Sequence, residues 1–195
     1  MLLSLPAIAL SVLIAVPIGR FSFVRRRVGG ALTSAATLLY AIPALPMLIV
    51  VPALVGVPLR SSANMIITLT LYGIALLVRS AADGFASVDA SVRDSSRAIG
   101  FSPLGLFWRV DLPLALPVIL AGVRVVAVST ISLVTIGALI GVSSLGTLLT
   151  DGFQRGIASE VLTGIGATVI LALAVDGVLL LLGRALTPWR RTVRA

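Results

Sequence analysis

The sequence predicts an all-α membrane protein with about five spanning helices and one hydrophilic elbow on the cytoplasmic side. Three observations carry this reading. Of the 195 residues, 58% are hydrophobic and only 11% are charged, a balance that a soluble domain of this size cannot hide from water. The apolar residues fall in stretches long enough to cross roughly 30 Å of hydrocarbon. The longest segment unable to sit in lipid, residues 89–113, lies in the middle of the chain.

Residues 1–19 form the first span. Arg20, Arg25, Arg26 and Arg27 follow this apolar run rather than precede it, the opposite polarity to a secretory signal, so a retained helix entering from outside is expected. Residues 32–57 form the second. Pro43, Pro46 and Pro52 should kink it, because each removes a backbone donor and crowds the preceding turn. A bend around Tyr40, Pro43 and Pro46 either lines a solute pathway or serves packing alone.

Residues 58–62 make a short outer turn, and residues 63–78 the third span, ending at Arg79. Residues 81–88 lead into the elbow, with Phe85, Val88, Val92 and Ile99 at near-helical spacing, either lying along the bundle or the membrane surface or packing in the core. From Leu112 to Val142 the chain is almost wholly apolar, too long for one straight crossing. The crossing is placed at residues 116–136, with Gly137, Gly141 and residues 142–146 breaking it and turning back at the outer face. Small residues four apart also permit close helix contact. Asp151, Arg155 and Glu160 mark an outer loop, residues 161–183 are the fifth span, and Arg184, Arg190, Arg191 and Arg194 follow.

Charge orients the bundle. This assignment puts twelve arginines inside, Arg20, Arg25, Arg26, Arg27, Arg79, Arg93, Arg97, Arg109, Arg184, Arg190, Arg191 and Arg194, against Arg60 and Arg155 outside. The arginine-rich side is cytoplasmic, giving an outer N-terminus and an inner C-terminus. Arg124 and Asp176 lie within spans, each about seven residues from the inner end, and a charge in lipid costs on the order of 3 kcal/mol. Matched depth and opposite sign suggest an Arg124–Asp176 pair; alternatively Arg124 reaches to the inner interface and Asp176 pairs elsewhere.

The elbow reads as helix, glycine turn, helix. Asp89 caps the first helix and should pair with Arg93 at i,i+4. Gly100 stops that helix, Ser102 and Pro103 start a second, and Pro113 closes the unit. Val92, Ile99, Leu104, Phe107 and Trp108 form its apolar side, and Arg93, Asp94, Arg97, Arg109 and Asp111 its polar side.

Several chemistries are excluded. With no cysteine, histidine or lysine there is no disulfide, thiol nucleophile, imidazole base, usual zinc site or phosphate-binding lysine. Any ATP that drives this protein is bound by another chain. A net charge of +8 and a helix–turn–helix raise nucleic-acid binding, but flanking membrane spans argue against it. The seven carboxylates are scattered, without a catalytic constellation.

The spacing Asp94-Ser95-Ser96-x3-Gly100-x9-Val110-x-Leu112-Pro113 resembles the cytoplasmic loop signature of ABC importer permeases, E-A-A-x3-G-x9-I-x-L-P, with Asp for Glu and two serines for alanines. Residues 112–124 (LPLALPVILAGVR) and 138–156 are similar to the osmoprotectant branch, whose members carry glycine betaine, carnitine or choline. The resemblance implies one type I importer transmembrane domain over residues 1–195, with residues 89–113 as its coupling loop. It implies two such membrane subunits, identical or paralogous, over two ATPase subunits that bind ATP and Mg, and a separate extracytoplasmic solute-binding protein. Contact with the ATPase would fall to Arg93, Asp94, Ser95, Ser96, Arg97, Ala98, Ile99, Gly100, Phe101 and Ser102. Asp89, Phe107, Trp108, Val110, Leu112 and Pro113 would frame the loop. No cofactor is expected on this chain. A methionine-type or other small-solute ABC permease is the second reading. A channel or proton-coupled carrier, which needs no ATPase, is the third, and would need ionisable residues along its pathway, where only Arg124 and Asp176 qualify.

Overall fold

The computed structural model describes residues 2–189. The expectations placed on Arg190, Arg191 and Arg194 lie outside the described residues. Among the described residues four helical stretches are long and apolar enough to cross a membrane: α1 (Ser4–Val24), α4 (Ser62–Ala86), the continuous run Pro103–Ile140 and α9 (Ala158–Leu186). The expected second span is instead a sharply bent pair of helices, long and apolar enough only when taken together. α2 (Arg26–Ala41) and α3 (Ala44–Val55) meet at 109°, far more than the kink expected of a single span.

The break sits at Ile42 and Pro43, both extended (φ −68°, ψ 128° and φ −61°, ψ 145°), because a residue before proline is pushed out of the helical region. The other two prolines do not bend the chain there. Pro46 falls in the first turn of α3, where no amide partner is required, and Pro52 lies inside the helix. Pro52 orphans the Leu48 carbonyl four residues earlier, and the break leaves the Ile42 carbonyl outside both helices. The side chains of α4 satisfy both: Tyr72 donates its hydroxyl proton to the Ile42 carbonyl, and Asn64 Nδ2 donates to the Leu48 carbonyl at 2.9 Å.

α4 is the central helix, packed against α1, α2, α3 and α7. Its approach to α1 is very close. A Cβ on Gly19 would stand 2.5 Å from that of Ala81, and one on Gly73 would stand 2.1 Å from Ser11 Oγ, so glycine permits the contact. Ser11 Oγ itself donates across the interface to the Thr70 carbonyl at 3.1 Å. Leu77, Val78, Ala81 and Phe85 then fill a core shared with Ala115, Ile119, Val123 and Val126 of α7 (Leu112–Val134).

The lead into the elbow is no separate surface segment. α4 runs unbroken to Ala86, and Phe85 and Val88 are buried in the core. At its other end α7 tightens into a 3-10 stretch (Thr135–Ile140) and stops at Gly141, whose φ of +84° disfavours any residue with a Cβ. Of the two glycines expected to serve helix contact, only Gly137 does so, against Met65. The region taken as an outer loop is largely a helix, α8 (Gly146–Gln154), folded back onto α9. A Cβ on Gly146 would lie 1.9 Å from the Thr135 carbonyl, so the chain turns back directly against the helix it has just left.

Candidate functional site: the elbow between the third and fourth spans

α5 (Ala90–Ala98) begins as the sequence requires. Asp89 is extended and its carboxylate accepts from the Ser91 amide at 2.8 Å, which holds the Asp89 carboxyl below its usual range. The helix ends on Gly100 at φ +95°, with the Phe101 amide donating to the Ser96 carbonyl (3.1 Å) and the Gly100 amide to Arg97 (3.0 Å). These two bonds make a Schellman turn, which consumes carbonyls that the helix end would leave open. Ser102 then caps α6 (Pro103–Leu106) by accepting from the Gly105 amide at 3.1 Å.

The unit is not closed by Pro113. The helix continues through a wide π-turn (Phe107–Asp111), where the Leu112 amide reaches back to Phe107, and enters α7 without interruption. Pro113 has no amide for the Arg109 carbonyl and its ring crowds it; a widened turn immediately before the proline relieves that clash. The sequence carried this signal, since a proline inside an apolar run demands either an end or a bulge.

The two faces of the elbow also differ from expectation. Asp94, Ser95, Arg97, Ala98, Ile99, Gly100 and Ser102 are exposed, and Phe101 is half-buried. Asp94 and Arg97 pair with each other on the surface at 3.1 Å. Arg93 and Ser96 are buried and face inward. Of the apolar side, Phe107 packs against the core, whereas Ile99, Leu104 and Trp108 are 76%, 72% and 60% exposed. Val92 is exposed too, and Val110, Leu112 and Pro113 are half-buried.

Arg93 does not pair with Asp89. Its Nε donates to Asp111 Oδ1 at 2.6 Å, Nη1 to the Val88 carbonyl at 3.0 Å and Nη2 to the Phe85 carbonyl. Asp111, placed on the polar side from sequence, is fully buried. It also receives Arg20 of α1, whose Nη2 lies 2.6 Å from Oδ2. Arg20 Nη1, on the same guanidinium, has no hydrogen-bond partner among the described residues. Sequence reasoning missed this site because it treated Arg20 as a loop charge, yet Arg20 continues the helical run of α1.

Two further groups come together. Arg124 Nε and Nη2 donate to Asp176 Oδ1 and Oδ2 at 2.7 and 2.6 Å, a two-pronged pair linking α7 and α9. It opens into a groove of about 590 Å³ lined by Val125, Val128, Ser129 and Leu173. At the broken span, Tyr40, Pro43 and Pro46 are exposed, and the Tyr40 ring stands edge-on to Tyr72 at 5.8 Å. Among the described residues no group of His, Cys, Asp or Glu could hold a metal ion.

A bundle of broken and glycine-packed spans with an exposed elbow at one end is the membrane-embedded part of a transporter. The chain belongs to the family of binding-protein-dependent transport system inner membrane components, which matches residues 7–192. It is thus a permease subunit of that class of importer. It is 29% identical over 97% of its length, and 82% of the relative's, to the glycine betaine/carnitine/choline transport system permease protein OpuCD of Bacillus subtilis. Over 95% of its length and 84% of the relative's, it is 30% identical to the choline transport system permease protein OpuBB of the same organism. The ergothioneine transport permease/ergothioneine binding protein EgtU of Helicobacter pylori is 32% identical over 80% of this chain and 27% of that protein. The fold is that of a chain in the inward-facing MetNI methionine ABC transporter, with a TM-score of 0.81 at 19% identity, covering 95% of this chain and 91% of that one.

Proposed function

We propose that this chain forms one half of the passage through which an ATP-driven importer carries a small quaternary-ammonium solute across the plasma membrane. The observation that carries the reading is the α5 elbow, a capped helix and Schellman turn presenting Asp94, Ser95, Arg97, Ala98 and Ile99 outward from a buried base. An ATPase subunit binding ATP and Mg would push on that face. α5 lies at the arginine-rich end, so the N-terminus is outside and the C-terminus cytoplasmic. A second permease, identical or paralogous, completes the passage, because one bundle of this size cannot enclose a solute.

The solute class follows from chemistry shared by the relatives' names. Choline, carnitine, glycine betaine and ergothioneine all carry a trimethylammonium group. Such a cation is held by aromatic cages, and this chain has only ten aromatic residues, so selection falls to the extracytoplasmic binding protein and this subunit offers a low-affinity passage. Tyr40, exposed at the broken span with its ring edge-on to the buried Tyr72, is the aromatic surface that the cation would pass.

The test is to co-express the chain with its neighbouring genes, purify it, and measure what binds to the accompanying binding protein by calorimetry with choline, carnitine, glycine betaine, ergothioneine and methionine. Co-purification of an ATPase and binding of a trimethylammonium compound are expected. Methionine binding alone would overturn the solute class, and a chain that transports without an ATPase would overturn the importer reading.

A further inference from the structure

Arg20, Arg93 and Asp111 come from three elements far apart in sequence and meet at one end of the bundle. We propose that Asp111 is a positioning residue of the transport cycle: through Arg93 and Arg20 it clamps the α5 elbow to the first and fourth spans, so that all three move as one body. This rests on the reading of α5 as the ATPase contact.

Four observations support the clamp. Asp111 is wholly buried yet holds two guanidinium groups, each 2.6 Å away. Arg93 spends its remaining nitrogens on the Phe85 and Val88 carbonyls, so it also caps the end of α4. The second, uncompensated positive charge is held among aromatic rings. Arg20 Cζ stands 5.6, 5.3 and 5.7 Å from the centroids of Phe23, Phe85 and Phe107, and Arg93 Cζ stands 4.6 Å from Phe23. Finally, the π-turn ends on Asp111 itself, where the elbow passes into α7.

Stability alone is a poor explanation for such a group. Buried ion pairs are often no better than apolar side chains of equal volume, whereas breaking one leaves a charge without a partner. What the trio provides beyond packing is directional: among the described residues α5 makes sparse contacts with α6 and the π-turn, so without Arg93 it is tethered mainly through its two ends. A push on its outer face would then flex the elbow. With the clamp in place the same push reaches α1 through Arg20 and α7 through Asp111.

The experiment uses the full complex with its ATPase and binding protein in nanodiscs. The chain contains no cysteine, so spin labels can be placed uniquely at Ala90→Cys on α5 and Phe21→Cys on α1, both exposed. The inter-label distance should be narrow and equal in the nucleotide-free and vanadate-trapped states. In Asp111→Asn, and independently in Arg20→Met, it should broaden and shift on trapping, while stimulation of ATP hydrolysis by the binding protein falls about fivefold or more. If Asp111→Asn does not assemble, Arg20→Met decides. An unchanged distance in the assembled variants, or a shift between states in the unsubstituted protein, overturns the clamp. Separately, a Ser95→Cys variant that fails to crosslink to the ATPase overturns the contact reading, and a preserved crosslink with unchanged distances overturns the clamp alone.

Discussion

Tyr72 donates its hydroxyl proton to the carbonyl of Ile42, a group that the break between α2 and α3 leaves outside both helices. Asn64 does the same for Leu48, orphaned by Pro52. Tyr72→Phe should therefore expose an unpaired carbonyl in an apolar setting and cost about 1–3 kcal/mol, read as a lower melting temperature in detergent. Asn64→Leu should cost at least as much, since Asn64 Nδ2 also donates to the Leu59 carbonyl at 2.8 Å. Two variants as stable as the parent would mean that water reaches these carbonyls.

Gly100→Val should abolish solute uptake in proteoliposomes while leaving the bundle folded. The site is at φ +95° and no atom crowds an added Cβ, so the penalty is conformational and confined to the turn. Asp94→Ala should act far more weakly, because Asp94 makes only a surface pair with Arg97. Equal losses in the two would show that the turn geometry is not what matters.

Asp89 should give α5 an acid-labile start. Its carboxyl is held below the ordinary value of 3.8 by the Ser91 amide, so the cap contributes fully above that value and is lost as pH falls through the lower one. Hydrogen exchange of the Ser91–Arg93 amides should be protected at neutral pH and lose protection in strong acid. Asp89→Ala should remove the protection at every pH.

Arg124→Met and Asp176→Leu should each impair expression or stability, since either leaves a charge within the membrane at a cost on the order of 3 kcal/mol. The double substitution should recover a large part of the loss in a thermodynamic cycle. Simple additivity would show that the 2.6 Å contact carries no coupling.

Much of this was legible in the residues. Asp89, Gly100, Ser102 and Pro103 announced the elbow because capping and left-handed turns need particular side chains at particular positions, and Arg124 and Asp176 found each other through depth and sign. The burial of Arg93 and Asp111 was not legible: polarity was read as exposure, and only the fold brings Arg20 beside them. The severity of the bend at Pro43 was likewise hidden, because proline announces a lost hydrogen bond but not the angle that neighbouring helices will tolerate. α8 was missed since nine residues with two glycines carry too little periodicity to outweigh a loop.

The wide turn at Phe107–Asp111 fixes a phase. It winds one surplus residue into a single coil at almost no net rotation, so removing one amino acid there would let the stretch rewind as ordinary helix with its flanks still in phase, whereas removing one from α7 would turn everything N-terminal to the deletion by about 100° about the axis. A deletion in α7 would shorten the polypeptide by a single residue and yet turn Asp111 away from Arg20 of α1. Loss of one residue should accordingly be tolerated within Phe107–Val110 long before it is tolerated in α7.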